Sequence, residues 1–263
     1  MQANKCQKYS FFTNRCIMPP NDHLFIVLDA VDSTNNYAMA KVHAGLARHG
    51  NAYFSPIQTG GKGQRGNLWE TSTGVNIALS VVLDVHTLNA AQQFQLSVAI
   101  ALAGFDFFSK YAGDETVIKW PNDIYWRDRK AGGILIENIF HGNVWKFAVA
   151  GIGININQPY FDAALKNPVS LKQITGKSFD IIELAKELHQ LVLKRFNLLD
   201  NGQFASLLND YNKLLFCLNK KVRLKKDNSI FETTIKGVTE NGNLITSDTT
   251  ERTFSFGEVS WVL

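Results

Sequence analysis

Apolar residues in this 263-residue chain gather into short strand-length runs, separated by longer stretches where they recur every three or four positions. HLFIVLDAV, from His23 to Val31, reads as a strand, and Ser33 stands where it would cap a helix running to about His49 with Gly50 just past its end. NAYFSPIQT follows as a strand, NIALSVVLDV at Asn76–Val85 as a buried strand, and the stretch from about Ala90 to Lys110 has helical spacing. TVIKW, GGILIENIF and VWKFAVAGIGININ predict three more strands, the last two joined by a His141-Gly142-Asn143 turn. Helices are expected over Phe179–Leu199 and Phe204–Leu215. From Cys217 the rhythm changes to short strands, KKVRLK, FETTIKGV, NLITSD and ERTFSF, with Asn241-Gly242 marking a hairpin. The expected fold is therefore α+β: a mixed β-sheet with packed helices over residues 1–216, then a small β-barrel-sized unit over 217–263. A unit of roughly 45 residues is marginal alone and should pack on the larger one. No element is assigned to an N-terminal extension over residues 1–23.

Composition narrows the class. Hydrophobic residues make up 45% and charged residues 19%, and no apolar run approaches the roughly 20 residues of a membrane span, so a cytoplasmic protein with no membrane partner is expected. The cysteines Cys6, Cys16 and Cys217 lack paired metal-ligand spacing, which argues against a zinc site or a disulfide framework. A net charge of +4 implies mild attraction to acidic partners.

The segment GGKGQRGNLW, Gly60–Trp69, holds four glycines and two cations in one loop. Glycines allow close backbone approach, Lys62 and Arg65 supply charge, and inward N–H groups form an anion nest. The spacing is neither a P-loop nor a dinucleotide fingerprint. Three further segments accompany it: Asp32-Ser33-Thr34-Asn35 before a helix, IKWPND at Ile118–Asp123 with RKAGGILIE at Arg129–Glu137, and GIGIN at Gly151–Asn155. Together, in this order, the four resemble the catalytic domain of the biotin protein ligases, strongly over about Leu24–Asn157 and weakly beyond.

That resemblance implies two-step chemistry. Biotin's carboxylate attacks the α-phosphate of ATP to give biotinyl-5′-AMP, and a lysine of a biotin carboxyl carrier domain, part of a biotin-dependent carboxylase, then attacks the acyl group. It also implies a closing SH3-like domain with GEVS, Gly257–Ser260, as its last strand. The residues before Leu24 are too few for a winged helix, so the likeness is to monofunctional ligases without specific DNA binding; a homodimer through a sheet edge is possible in the family.

Site residues follow from the same resemblance and from what the ligands need. A ureido ring requires donors and acceptors in an otherwise apolar pocket, and Ser33, Thr34 and Gln58 look like its readers, with Asn35, Gly61, Lys62, Gly63, Gln64, Lys130, Gly133 and Gly151 completing the biotin set. Lys62, Arg65, Trp69, Asn122, Lys130 and Asn155 form the nucleotide set, Trp69 stacking on adenine. Lys130, Arg65 and Asp123 are the catalytic candidates: cations neutralise the approach of carboxylate to polyphosphate, while Asp123 would orient the attacking lysine, accept its proton or help organise the nucleotide's Mg²⁺. No residue is assigned as a metal ligand. Lys62, Gln64 and Asn67 stand where relatives commonly carry arginines, and the departure at Gln64 bears on retention of the adenylate. The glycine loop and Ala112–Val117 are expected to order on ligand binding. Two rivals remain. Lipoate ligation shares the fold and the adenylate but uses a loop resembling RR-x-S-G-G-G, and a nucleic-acid-binding module is suggested by Lys220, Lys221, Arg223, Lys225 and Lys226.

Overall fold

The computed structural model describes residues 24–69 and 71–262. The extension 1–23, with Cys6 and Cys16, lies outside them. Seven strands build the larger sheet: β1 (Phe25–Val27), β2 (Ala52–Phe54), β3 (Ile77–Asp84), β4 (Thr116–Lys119), β5 (Asp123–Trp126), β6 (Arg129–His141) and β7 (Val144–Ile154), in the order β1-β2-β3-β7-β6-β5-β4. Only β1–β2 is parallel.

The two-residue period of the strands sends alternate side chains to opposite faces. Leu79, Val81 and Leu83 of β3, with Ala148, Ala150, Ile152 and Ile154 of β7, join the main core. Against them pack α2 (Gln93–Ala112) and α4 (Ile181–Asp200), the first apolar enough to bury ten of its residues. The opposite face holds a smaller cluster in which Ala38 of α1 (Thr34–His43) meets Tyr53, Val82, Ile139 and Val149. By the same alternation Ser80, Gly151, Gly153, Gly133 and Glu137 belong to this second face. A hydroxyl, three glycines and a carboxylate are too small or too polar to seal a core, so this face carries a cavity.

The helix α3 (Leu171–Thr175), opened by a Ser170–Gln173 capping box, and α5 (Phe204–Lys213) lead to a second sheet. Its strands are β8 (Lys221–Lys226), β9 (Ser229–Val238), β10 (Leu244–Ser247), β11 (Glu251–Phe254) and β12 (Ser260–Trp261), antiparallel in the order β11-β10-β9-β8-β12. Its apolar residues Leu224, Ile235, Val238, Leu244 and Phe254 join the main core. Trp120 Nε1 donates to Gly242 O at 3.0 Å, and Phe216 N donates to Ile118 O at 2.8 Å. The small sheet therefore rests on the β4 edge, as its size requires.

Some boundaries differ from expectation. The first helix ends at His43, six residues early, because Gly45 takes φ +68° and breaks it. The closing strand is Ser260–Trp261 rather than Gly257–Ser260; Gly257, at φ +83°, belongs to the turn before it. Ala112–Val117 is a helix end running into β4, fastened by Trp126 Nε1 donating to Ala112 O at 3.2 Å. No described helix is long and apolar enough to cross a membrane.

Candidate active site

A cavity of about 290 Å³ opens on the second face, floored by β3, β6 and β7 and walled by the glycine loop, the head of α1, the β4–β5 turn and two aromatics of the small sheet, Phe256 and Trp261. Of the expected residues it gathers Ser33, Thr34, Asn35, Gln58, Lys62, Gly63, Gln64, Arg65, Trp69, Asn122, Asp123, Lys130, Gly133 and Gly151.

One part is a buried polar relay. Gln58 Oε1 accepts from the Thr34 backbone N–H at 2.8 Å, which fixes the amide. Ser80 Oγ lies 2.8 Å from Thr34 Oγ1 and 2.5 Å from Asn35 Oδ1. A hydroxyl has one proton and an amide oxygen none, so Thr34 Oγ1, which donates to Gln58 Oε1 at 3.1 Å, is an acceptor toward Ser80, whose proton is shared between Thr34 Oγ1 and Asn35 Oδ1. Asn35 Nδ2 donates in turn to Glu137 Oε2 at 2.9 Å. Ser33 occupies the cap position of α1 but makes no side-chain capping bond. The capping role expected of Ser33 is not realised; it is buried and lines the cavity.

A second part is cationic and aromatic. Lys130 Nζ is 2.8 Å from Asp123 Oδ1 and 6.0 Å from the centre of the Trp69 ring. The Trp69 indole lies against Gly153 and Gly133, its Nε1 buried without a partner. Lys62 pairs with Glu137 at 3.6 Å. Asn122 Nδ2 and Gln64 Nε2 both donate to Ile134 O, at 2.5 and 3.4 Å. Gly151, under Asn35, and Gly153, under Trp69, are two residues apart on one strand, about 6.6 Å. The hydrogen-bonding part and the charged part thus stand side by side.

Three expected residues stand apart from the others. Asn155 does not line the cavity; its Nδ2 donates to Val169 O at 3.1 Å and ties the end of β7 to the segment before α3. Gly61 does not line it either. The Trp69 N–H donates to Gly61 O at 2.9 Å across the loop, and a Cβ at Gly61 would stand 2.4 Å from Trp69 O. Arg65, at φ 56°, turns its guanidinium toward the small sheet: it sits 4.5 Å from the Phe256 ring centre and donates to Phe256 O at 3.2 Å. It stands at the rim, occupied by protein partners.

Ser80 and Glu137, which hold the lining residues Asn35 and Lys62 from behind, carried no signal that singled them out. Ser80 is a lone hydroxyl in the apolar run NIALSVVLDV, and Glu137 closes a motif already noted. Lys119 sits opposite Asp123 in the β4–β5 pairing, and burial pushes its pKa down to about 8.

The sequence pattern of the biotin/lipoate A/B protein ligase family matches residues 27–155. The bifunctional ligase/repressor BirA of Escherichia coli is 30% identical over 222 residues, 83% of this chain and 68% of BirA. The chain belongs to the biotin/lipoate A/B protein ligase family. Biotin--[acetyl-CoA-carboxylase] ligase of Paracoccus denitrificans is 29% identical to this ligase over 226 residues, covering 83% of the chain and 92% of the relative. The biotin protein ligase of Aquifex aeolicus, solved in complex with biotin and ATP, has the same fold, with a TM-score of 0.75 at 23% identity across 90% of this ligase and 97% of that one.

Proposed function

We propose that the ligase attaches biotin to a lysine of a biotin carboxyl carrier domain, using ATP and passing through biotinyl-5′-AMP. The observation that carries this reading is the polar relay of Thr34, Gln58, Ser80 and Asn35 beside the Lys130–Asp123–Trp69 group along β7. A ureido ring needs such a relay; a dithiolane ring has no group to use it, so lipoate is the poorer fit.

In the first step a carboxylate oxygen bonds to the α-phosphorus while the α–β bridging bond breaks and pyrophosphate leaves with its electron pair. Lys130 and Lys62 each hold a carboxylate, Asp123 and Glu137. An incoming anion competes for these cations, which then stabilise the charge that grows in the transition state. Trp69 offers the cavity the ring face not covered by the glycines. Mg²⁺ enters with the nucleotide as part of the substrate, because the phosphates supply the oxygen ligands it takes. The division into a catalytic unit, 1–216, and a closing unit, 217–263, is part of the proposal.

Mass spectrometry of a carrier domain incubated with the ligase, ATP, Mg²⁺ and either biotin or lipoate tests the reading. Biotin's acyl mass on one lysine is the expected result; modification by lipoate alone overturns it. Lys130→Ala should keep the fold and slow pyrophosphate release by ~10²–10³, and a folded variant with near-normal release would remove Lys130 from the chemistry.

A further inference from the structure

In the transfer step the carrier's lysine arrives as an ammonium group and must lose a proton before it attacks. Asp123 is poorly free for this, because its Oδ1 is engaged by Lys130 at 2.8 Å. Carboxylates are also weak bases toward an amine: ordinary values of about 3.9 and 10.4 leave a mismatch of roughly 10⁶ in the equilibrium.

Another basic side chain faces the cavity. Lys119 ends β4 directly across the hairpin from Asp123 and lines the cavity with it. Its Nζ lies 3.0 Å from Tyr125 Oη, 4.6 Å from the Tyr125 ring centre and 5.5 Å from that of Trp261. Lys62 and Lys130 are held by carboxylates, whereas the close partners of Lys119 are aromatic. Its seat joins both sheets, at the side of the cavity where the small sheet meets the β4 edge.

We propose that Nζ of Lys119 is the base that takes the proton from the carrier's attacking lysine, a role that rests on the ligase reading above. The atoms balance without a further reagent. The carrier ammonium gives one proton to Lys119, its lone pair forms the C–N bond at the acyl carbon, the bond from that carbon to the phosphate oxygen breaks, and AMP leaves with the electron pair. The acylated nitrogen then loses one of its two protons to water, leaving the neutral amide with one N–H, and Lys119 releases the proton it took to water as well.

The surroundings support it. Burial lowers the Lys119 pKa to about 8; Asp123 and the Cys217 thiol oppose the shift, Lys130 and Lys166 reinforce it. Burial raises both the Cys217 thiol and the Tyr125 phenol, so neither neighbour competes as an acid near neutrality. Against a carrier amine the mismatch falls to roughly 10²–10³. The adenylate's phosphate charge moves the value upward while bound, so the profile belongs to the loaded enzyme.

The test supplies preformed biotinyl-AMP to the full-length chain and follows transfer against pH. Wild type should show a rate rising through one inflection at or above pH 8. Lys119→Met should slow transfer to the carrier by about 10²-fold and lose that inflection, while transfer to hydroxylamine, already neutral at pH 7, falls less than tenfold. Lys119→Arg, which keeps a cation on the aromatic rings but supplies no base, should match Lys119→Met, and serves if the methionine variant does not fold. Equal losses toward carrier and hydroxylamine, or an unchanged inflection, overturn the proposal while leaving the ligase reading intact. No wild-type transfer from biotinyl-AMP overturns both.

Discussion

The glycines of the loop and the glycines of the sheet do different jobs. At Gly66 in the loop, φ is +78° and a Cβ would meet nothing within 4 Å: the residue is there for its backbone angle. At Gly151 and Gly153 of β7 the angle suits any residue, but a Cβ would stand 2.2 Å from Asn35 Oδ1 and 2.3 Å from Trp69 Cε2. Those two are there for the space. A glycine-rich loop is conspicuous in a sequence, yet in this ligase the residues with least freedom to change are the quieter pair in the strand.

The largest effect should come from the strand. Gly151→Ala pushes Asn35 off Ser80 and breaks the relay, so biotin affinity measured by calorimetry should fall by ~100-fold or more while the thermal midpoint moves little. If affinity holds, the relay does not read the ligand. Gly132→Ala sharpens the point, because there the obstacle is backbone, Gly153 O at 2.8 Å, and side chains cannot yield. It should cost about 1–3 kcal/mol by urea titration. Gly66→Ala should cost less, about 1 kcal/mol, from strain at positive φ alone, and change adenylate formation by under tenfold. A larger loss than at Gly151 would reverse the comparison. The smallest effect concerns Lys119, whose folded pKa of about 8 lies below the ordinary 10.5. The unfolded chain binds more protons between these values, so folding is penalised below pH 8 and the penalty fades as pH rises to 10.5. Lys119→Met should therefore be more stable than wild type near neutrality, by a margin that shrinks across pH 8–10.5 in paired denaturation curves.

Where a single run decided the structure, it was legible in the order of residues. NIALSVVLDV could only be a buried strand, and the period of Ala90–Lys110 only a buried helix. β5 escaped because Asp123-Ile-Tyr-Trp is four residues long and follows Pro121-Asn122, which look like a turn. Within the site, motif residues were found and contact residues were not. Ser33 reads as a cap because that is what a serine before a helix ordinarily does; only the fold shows its hydroxyl making no capping bond. Arg65 reads as a phosphate ligand because it shares a loop with glycines, while its partner, Phe256, lies 191 residues away. Ser80, Lys119 and Glu137 acquire their roles from the face of the sheet they share, which is set by register and not by neighbours in the chain.

The two aromatics that the small sheet lends to the cavity, Phe256 and Trp261, tie ligand occupancy to the integrity of a region well outside the family pattern. A molecule bound there touches both sheets, so its binding free energy, RT ln(1 + [L]/Kd) at saturation, is withdrawn if either one opens. Biotin and nucleotide thereby act as mortar: bound between the two sheets, they oppose the opening of either one.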